Sequence, residues 1–282
     1  MRWTPGGRSD DLEDRRDEGG AGGGIGGVHI GIGGFVILLV LSVVFKKDFF
    51  SLIGSQGVSP GQAVSQPDPQ GDAREEPLVQ FVSYVLDDTQ KTWAGILGAQ
   101  GIPYRHAKLV LFRDVTSSGC GAAQSATGPF YCPSDQKVYI DLGFYDELQR
   151  RFGAPGQFAQ AYVLAHELGH HIQNLLGIEN KVRTLQGQNP GAGNSLSVRM
   201  ELQADCFAGI WAKSTQQRNL LDSGDVESAL GAAAAVGDDR LQRMSRGQVS
   251  PDSFTHGSSA QRMEWFRRGL SAGTVESCNT FQ

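Results

Sequence analysis

Apolar positions along this chain follow two kinds of pattern. One is a continuous run over residues 28–45, free of formal charge and closed by Lys46 and Lys47. About 20 apolar residues span a bilayer as a helix, so this run predicts one transmembrane helix. The other pattern is periodic. Leu78, Phe81, Val82, Val85 and Trp93 mark an amphipathic helix over 77–97, and residues 107–112 read as a strand. Residues 117–141 contain a Gly-Pro turn and the alternating segment Lys137-Val-Tyr-Ile-Asp141, which predicts a short antiparallel sheet or hairpin. A short helix is expected over 144–152. Phe158, Ala161, Tyr162, Ala165, Leu168, Ile172 and Leu176 recur at helical spacing over 157–176, a segment without proline. Met200, Ala204, Ala208 and Trp211 do the same over 197–211. Further helices are expected over 225–244 and 259–270, the last with Ser258 as N-cap. The fold class implied is α+β, mainly helical, with a small antiparallel sheet and one preceding transmembrane helix.

Four regions follow from composition. Residues 1–27 carry mixed charge and then a glycine-rich stretch, and read as a disordered cytoplasmic tail. Residues 28–45 are the transmembrane helix. A cleaved signal peptide is the rival, but the charged region ahead is too long and no small-x-small site follows closely. Residues 46–74 are rich in Gly, Ser, Pro and Gln and read as a flexible linker. Residues 75–282 form the folded domain. A net charge of −5 and a pI near 5.7 offer no basic field for nucleic acid.

The chemistry centres on Ala165-His166-Glu167-Leu-Gly-His170-His171. Residues four apart share a helix face, so His166 and His170 can point at one metal ion. Glu167 can lean toward a metal-bound water, which is the H-E-x-x-H arrangement of zinc hydrolases. A third ligand is required. The metzincin continuation needs Gly and His where this chain has Gln173 and Leu176. Glu201 and Asp205, four apart on the next helix, serve better: Glu201 as third ligand, Asp205 as acceptor for the hydrogen of a ligand histidine. His171 points about 100° from His170 and is not expected to be a ligand. His256, Tyr139 and Tyr145 are candidates to stabilise an oxyanion, with His256 the leading one.

Four cysteines, with no C-x-x-C, suggest two disulfides in an oxidising compartment rather than a zinc knuckle. Three pairings are possible. Cys120–Cys132 with Cys206–Cys278 is the most local. Four buried thiols in the cytosol are the alternative. Lysines and arginines flank residues 28–45 on both sides, so the positive-inside rule is silent. The cysteines place the domain outside the cytoplasmic membrane, with the N-terminus inside.

With Cys120-Gly, Gly128-Pro-Phe-Tyr-Cys132-Pro, Val138-Tyr-Ile-Asp141, the His166–His171 motif, Glu201-Leu-Gln-Ala-Asp205-Cys-Phe-Ala-Gly and Thr255-His-Gly-Ser-Ser-Ala-Gln-Arg262, the chain resembles a bacterial family of membrane-anchored neutral zinc metallopeptidases. The resemblance runs from about Phe81 to Phe281. It implies a zincin-like fold, one Zn²⁺ on His166, His170 and Glu201, Glu167 as catalytic base, and a peptide or protein substrate. It implies neither a particular substrate nor an oligomeric state. Two other readings share the metal site: a zinc-stabilised binding domain that cleaves nothing, and a hydrolase of cell-wall amides.

Overall fold

The computed structural model describes residues 1–18 and 69–281. The expected transmembrane helix lies outside them. Among the described residues, no helix is long and apolar enough to cross a membrane.

The order of elements is strand β1 (Leu12–Asp14), helix α1 (Pro69–Ala99), strands β2 (Lys108–Phe112), β3 (Val115–Ser118), β4 (Gly121–Gln124), β5 (Phe130–Cys132) and β6 (Lys137–Asp141), then helices α2 (Gly143–Arg150), α3 (Gln157–Leu175), α4 (Ile178–Gln188), α5 (Gly193–Gln217), α6 (Asp225–Ala235), α7 (Asp238–Arg246) and α8 (Ser259–Ala272). The mainly helical α+β class holds. The sheet, however, is mixed rather than antiparallel. Its order is β1-β2-β6-β5, with β1 and β6 parallel to β2 and only β5 antiparallel to β6. Burial of both faces explains the parallel centre. Leu109, Val110, Leu111, Phe112, Val138, Tyr139 and Ile140 are all buried, and a strand covered on both sides reads as an unbroken apolar run. β3 and β4 form a separate antiparallel hairpin.

One face of the sheet packs with Phe81, Val82 and Val85 of α1 and Phe158, Tyr162 and Ala165 of α3. On the other face, Val110, Phe112 and Tyr139 cluster with Ala123, Cys132 and Phe130. A third cluster joins Trp93, Leu97, Ile172, Phe207 and Ile210 to the Cys206–Cys278 disulfide. The second disulfide is Cys120–Cys132. Helices α5 and α8 cross closely because the contact is made by glycine. A Cβ on Gly269 would stand 1.9 Å from the Cys206 carbonyl oxygen.

Two boundaries differ from the sequence reading. Helix α1 begins at Pro69 and carries Pro77 in its interior, so residues 69–74, expected as linker, are helical. Residues 1–18 are not a disordered tail. They lie on the domain and supply β1. Their many charges look like a solvated surface in sequence, but Arg2, Arg8, Asp11, Glu13 and Arg16 pair with residues far along the chain.

Candidate metal centre

Helix α3 presents His166 and His170 toward α5, and α5 returns Glu201. Close approach of the two helices depends on Gly169 within the motif, where a Cβ would stand 2.9 Å from the Ala204 carbonyl oxygen. His166 Nε2 lies 3.2 Å from Glu201 Oε2, and His170 Nε2 lies 3.4 Å from Glu201 Oε1. One donor atom from each of the three residues falls within 4.8 Å of the others. No second such group of His, Cys, Asp or Glu occurs among the described residues.

Both imidazoles are held from behind. His166 Nδ1 lies 2.8 Å from Asp205 Oδ1, and His170 Nδ1 lies 2.8 Å from Gln173 Oε1. Donation of each Nδ1–H to these acceptors fixes the tautomer that leaves Nε2 free as a ligand. The acceptors are themselves fixed. Gln173 donates to the Met200 carbonyl at 2.7 Å. Asp205, fully buried, takes two hydrogen bonds from Arg262, at 2.8 and 2.9 Å, and one from the Tyr162 hydroxyl. Gln173, the residue that breaks the metzincin pattern, thus orients the second histidine.

The electrostatics favour a cation. Desolvation opposes charge on His166, yet Asp205 and Glu201 outweigh it and push the imidazole up to about 10. His170 is raised against desolvation by Glu201. Glu201 is half-buried and desolvation disfavours its charge, but the two histidines hold it well below the usual carboxylate range. Two imidazole nitrogens and a carboxylate oxygen that all gain from central positive charge fit Zn²⁺.

Glu167, one residue beyond His166, is 8% exposed. Its charge reaches His170 and the Tyr145 hydroxyl. That hydroxyl is buried and has no hydrogen-bond partner among the described residues. His256 sits on the loop ahead of α8. Asp238 Oδ2 accepts the backbone N–H groups of Thr255, His256 and Gly257, and Asp238 Oδ1 lies 3.2 Å from His256 Nδ1. Desolvation lowers the His256 pKa, but Asp238 and Glu201 raise it overall, so His256 lies within electrostatic reach of the centre. Tyr139 donates to Asp135 at 2.7 Å and stacks on Phe130, which commits it to the far face of the sheet. His171 faces away from the centre. It bonds the Arg105 carbonyl oxygen and the Tyr131 hydroxyl, and burial lowers its pKa to about 4.

Sequence reasoning missed Gln173, Asp238 and the role of Arg262. Only Arg262 carried a signal, as a charged residue on the buried side of an amphipathic helix.

Among known proteins, an uncharacterized Escherichia coli K12 protein, YpfJ, is 50% identical over an alignment covering 100% of this chain and 99% of its own. An uncharacterized Mycobacterium tuberculosis H37Rv protein, Rv2575, is 40% identical over 79% of this chain and 77% of its own. No solved structure matches. The profile of the family described as "Putative neutral zinc metallopeptidase" matches residues 1–281, and the chain belongs to that family.

Proposed function

We propose that this chain is a zinc-dependent endopeptidase, with one Zn²⁺ held by His166, His170 and Glu201 and with Glu167 as general base. The convergence of the three donor atoms, each histidine braced by its own acceptor, supports this most strongly. When bound, the ion supplies Lewis acidity and a water of lowered pKa. Glu167 accepts the proton of the attacking water on a carboxylate oxygen and returns it to the leaving amine nitrogen. Asp205 and Gln173 keep both imidazole rings in register through this exchange. His256 Nδ1 lies 3.2 Å from Asp238 Oδ1, and against desolvation Asp238 and Glu201 raise the His256 pKa. When protonated, His256 is the proposed donor to the carbonyl oxygen as negative charge develops there.

The substrate is an extended peptide. Among the described residues β5 pairs with β6 on one side only, so it is one edge of the sheet, β1 being the other. β5 also adjoins α3, through Tyr131 to His171 and Asn174. Strand addition along β5 brings a peptide bond past the metal centre. The apolar run over residues 28–45 is the proposed membrane attachment, and the two disulfides support an oxidising compartment for the domain.

The test is casein cleavage and metal content of the full chain, for wild type and Glu167→Gln. One Zn²⁺ per chain in both, with cleavage in wild type alone, is the expected result. Equal cleavage by both would remove Glu167 from the mechanism, and the absence of zinc would remove the centre.

A further inference from the structure

Residues 1–18 pair with the domain along their whole length. β1 adds to β2 in parallel, Leu12 opposite Leu109 and Asp14 opposite Leu111. Leu109 donates its N–H to the Asp11 carbonyl at 2.8 Å, and Arg15 donates to the Leu111 carbonyl at 2.8 Å. Side chains close over this ladder. Lys137 Nζ meets Glu13 at 2.7 Å, Lys108 Nζ meets Asp11 at 2.8 Å, and Arg8 meets Glu76 at 2.6 Å. Trp3 packs on Phe81 with ring centroids 5.3 Å apart. A strand with this many mates is an integral part of the sheet.

The end of the segment is the informative part. Arg16, 4% exposed, reaches Glu75 at 2.7 Å and Asp72 at 3.6 Å. Arg113 bonds the same two carboxylates and the Arg16 carbonyl oxygen. The connection 19–68 therefore leaves the domain and returns to it at one corner. A single membrane crossing inside that connection would separate its two ends by a hydrocarbon core about 30 Å thick. Ion pairs of 2.7 Å cannot exist across it.

We propose that residues 1–18 and the domain of residues 69–281 occupy one compartment. Glu18 and Pro69, the described residues on either side of that connection, then lie on the same side of any membrane the chain enters. This replaces the arrangement in which the N-terminus is cytoplasmic and the domain lies outside. It is independent of whether the metal centre cleaves peptides.

The experiment uses the full chain in sealed right-side-out and inside-out membrane vesicles. Thr4→Cys and Arg150→Cys, made separately, each place a thiol at an exposed position, and the four native cysteines are paired. A membrane-impermeant maleimide is expected to label both variants in the same vesicle orientation. Labelling in opposite orientations overturns the proposal. Hydrogen exchange on the wild-type chain in its membrane needs no substitution. The amides of Arg15 and Leu109 are expected to exchange more slowly than those of an exposed chain, and free exchange at both would overturn the docking.

Discussion

The metal centre and the N-terminal strand are both built from charged residues, yet they are specified in different ways. At the centre, the decisive spacings are local. His166 and His170 are one helical turn apart, as are Glu201 and Asp205, so each pair shares a helix face before any tertiary contact forms. At the N-terminal strand the contacts that dock it on the domain are not local. Arg16 finds Glu75, and Glu13 finds Lys137, only after the chain has folded. Local periodicity reveals the first kind of site. The second kind resembles a solvated tail until its partners are known.

The contrast predicts a hierarchy of effects. The largest is at the base: Glu167→Gln should lower the cleavage rate roughly 10²- to 10⁴-fold, the usual worth of a positioned base, with zinc content unchanged. Steady-state cleavage beside metal analysis checks it. Next come the residues that brace the ligands. Gln173→Ala should weaken zinc binding by about 10- to 100-fold, measured by competition with a chromogenic chelator. Asp205→Ala should do the same and also cost stability, because it leaves Arg262 buried without its carboxylate.

At the other region, Arg16→Met should lower unfolding free energy by about 1.5–3 kcal/mol, the range for hydrogen bonds to charged groups, and leave zinc affinity unchanged. Denaturant titration checks it. If Arg16→Met instead alters zinc affinity, the two regions are coupled and the contrast fails.

The smallest effect concerns His256 and Asp238. Asp238 is held below the usual carboxylate range despite burial, by His256 and the loop amides. Its stabilisation is present above the unfolded carboxylate pKa of about 4 and is lost as pH falls through the lower folded value. His256 is raised, so its contribution is full below about 6.5 and is lost as pH rises through the folded value. The pair should stabilise the fold most between those limits. His256 is 52% exposed, so the contribution should stay below about 1 kcal/mol. Unfolding of wild type and Asp238→Asn across pH 3–9 checks the shape.

Much of the helical half was legible in the sequence. Apolar stripes marked the helices, and the spacing of the histidines and carboxylates marked the centre. The parallel pairing of β2 and β6 was not read, although the unbroken run Leu109–Phe112 signals a strand buried on both faces. Gln173 was seen only as a departure from another family's pattern, because its role depends on the Met200 carbonyl across the helix contact. Arg262 and Asp238 act through residues 57 and 18 positions away, distances at which no periodicity operates. The N-terminal segment failed for the same reason. Its low hydrophobicity resembles disorder, and its order comes from ion pairs and from a ladder on another strand.

X-ray absorption at the zinc edge, on the full chain purified without chelators, tests the central claim most directly. The proposed centre calls for one zinc per chain, with two imidazole nitrogens and a carboxylate oxygen at about 2.0–2.2 Å and no sulfur. A chain without zinc, or a shell containing sulfur at about 2.3 Å, would contradict the assignment of His166, His170 and Glu201 as the centre of this protein.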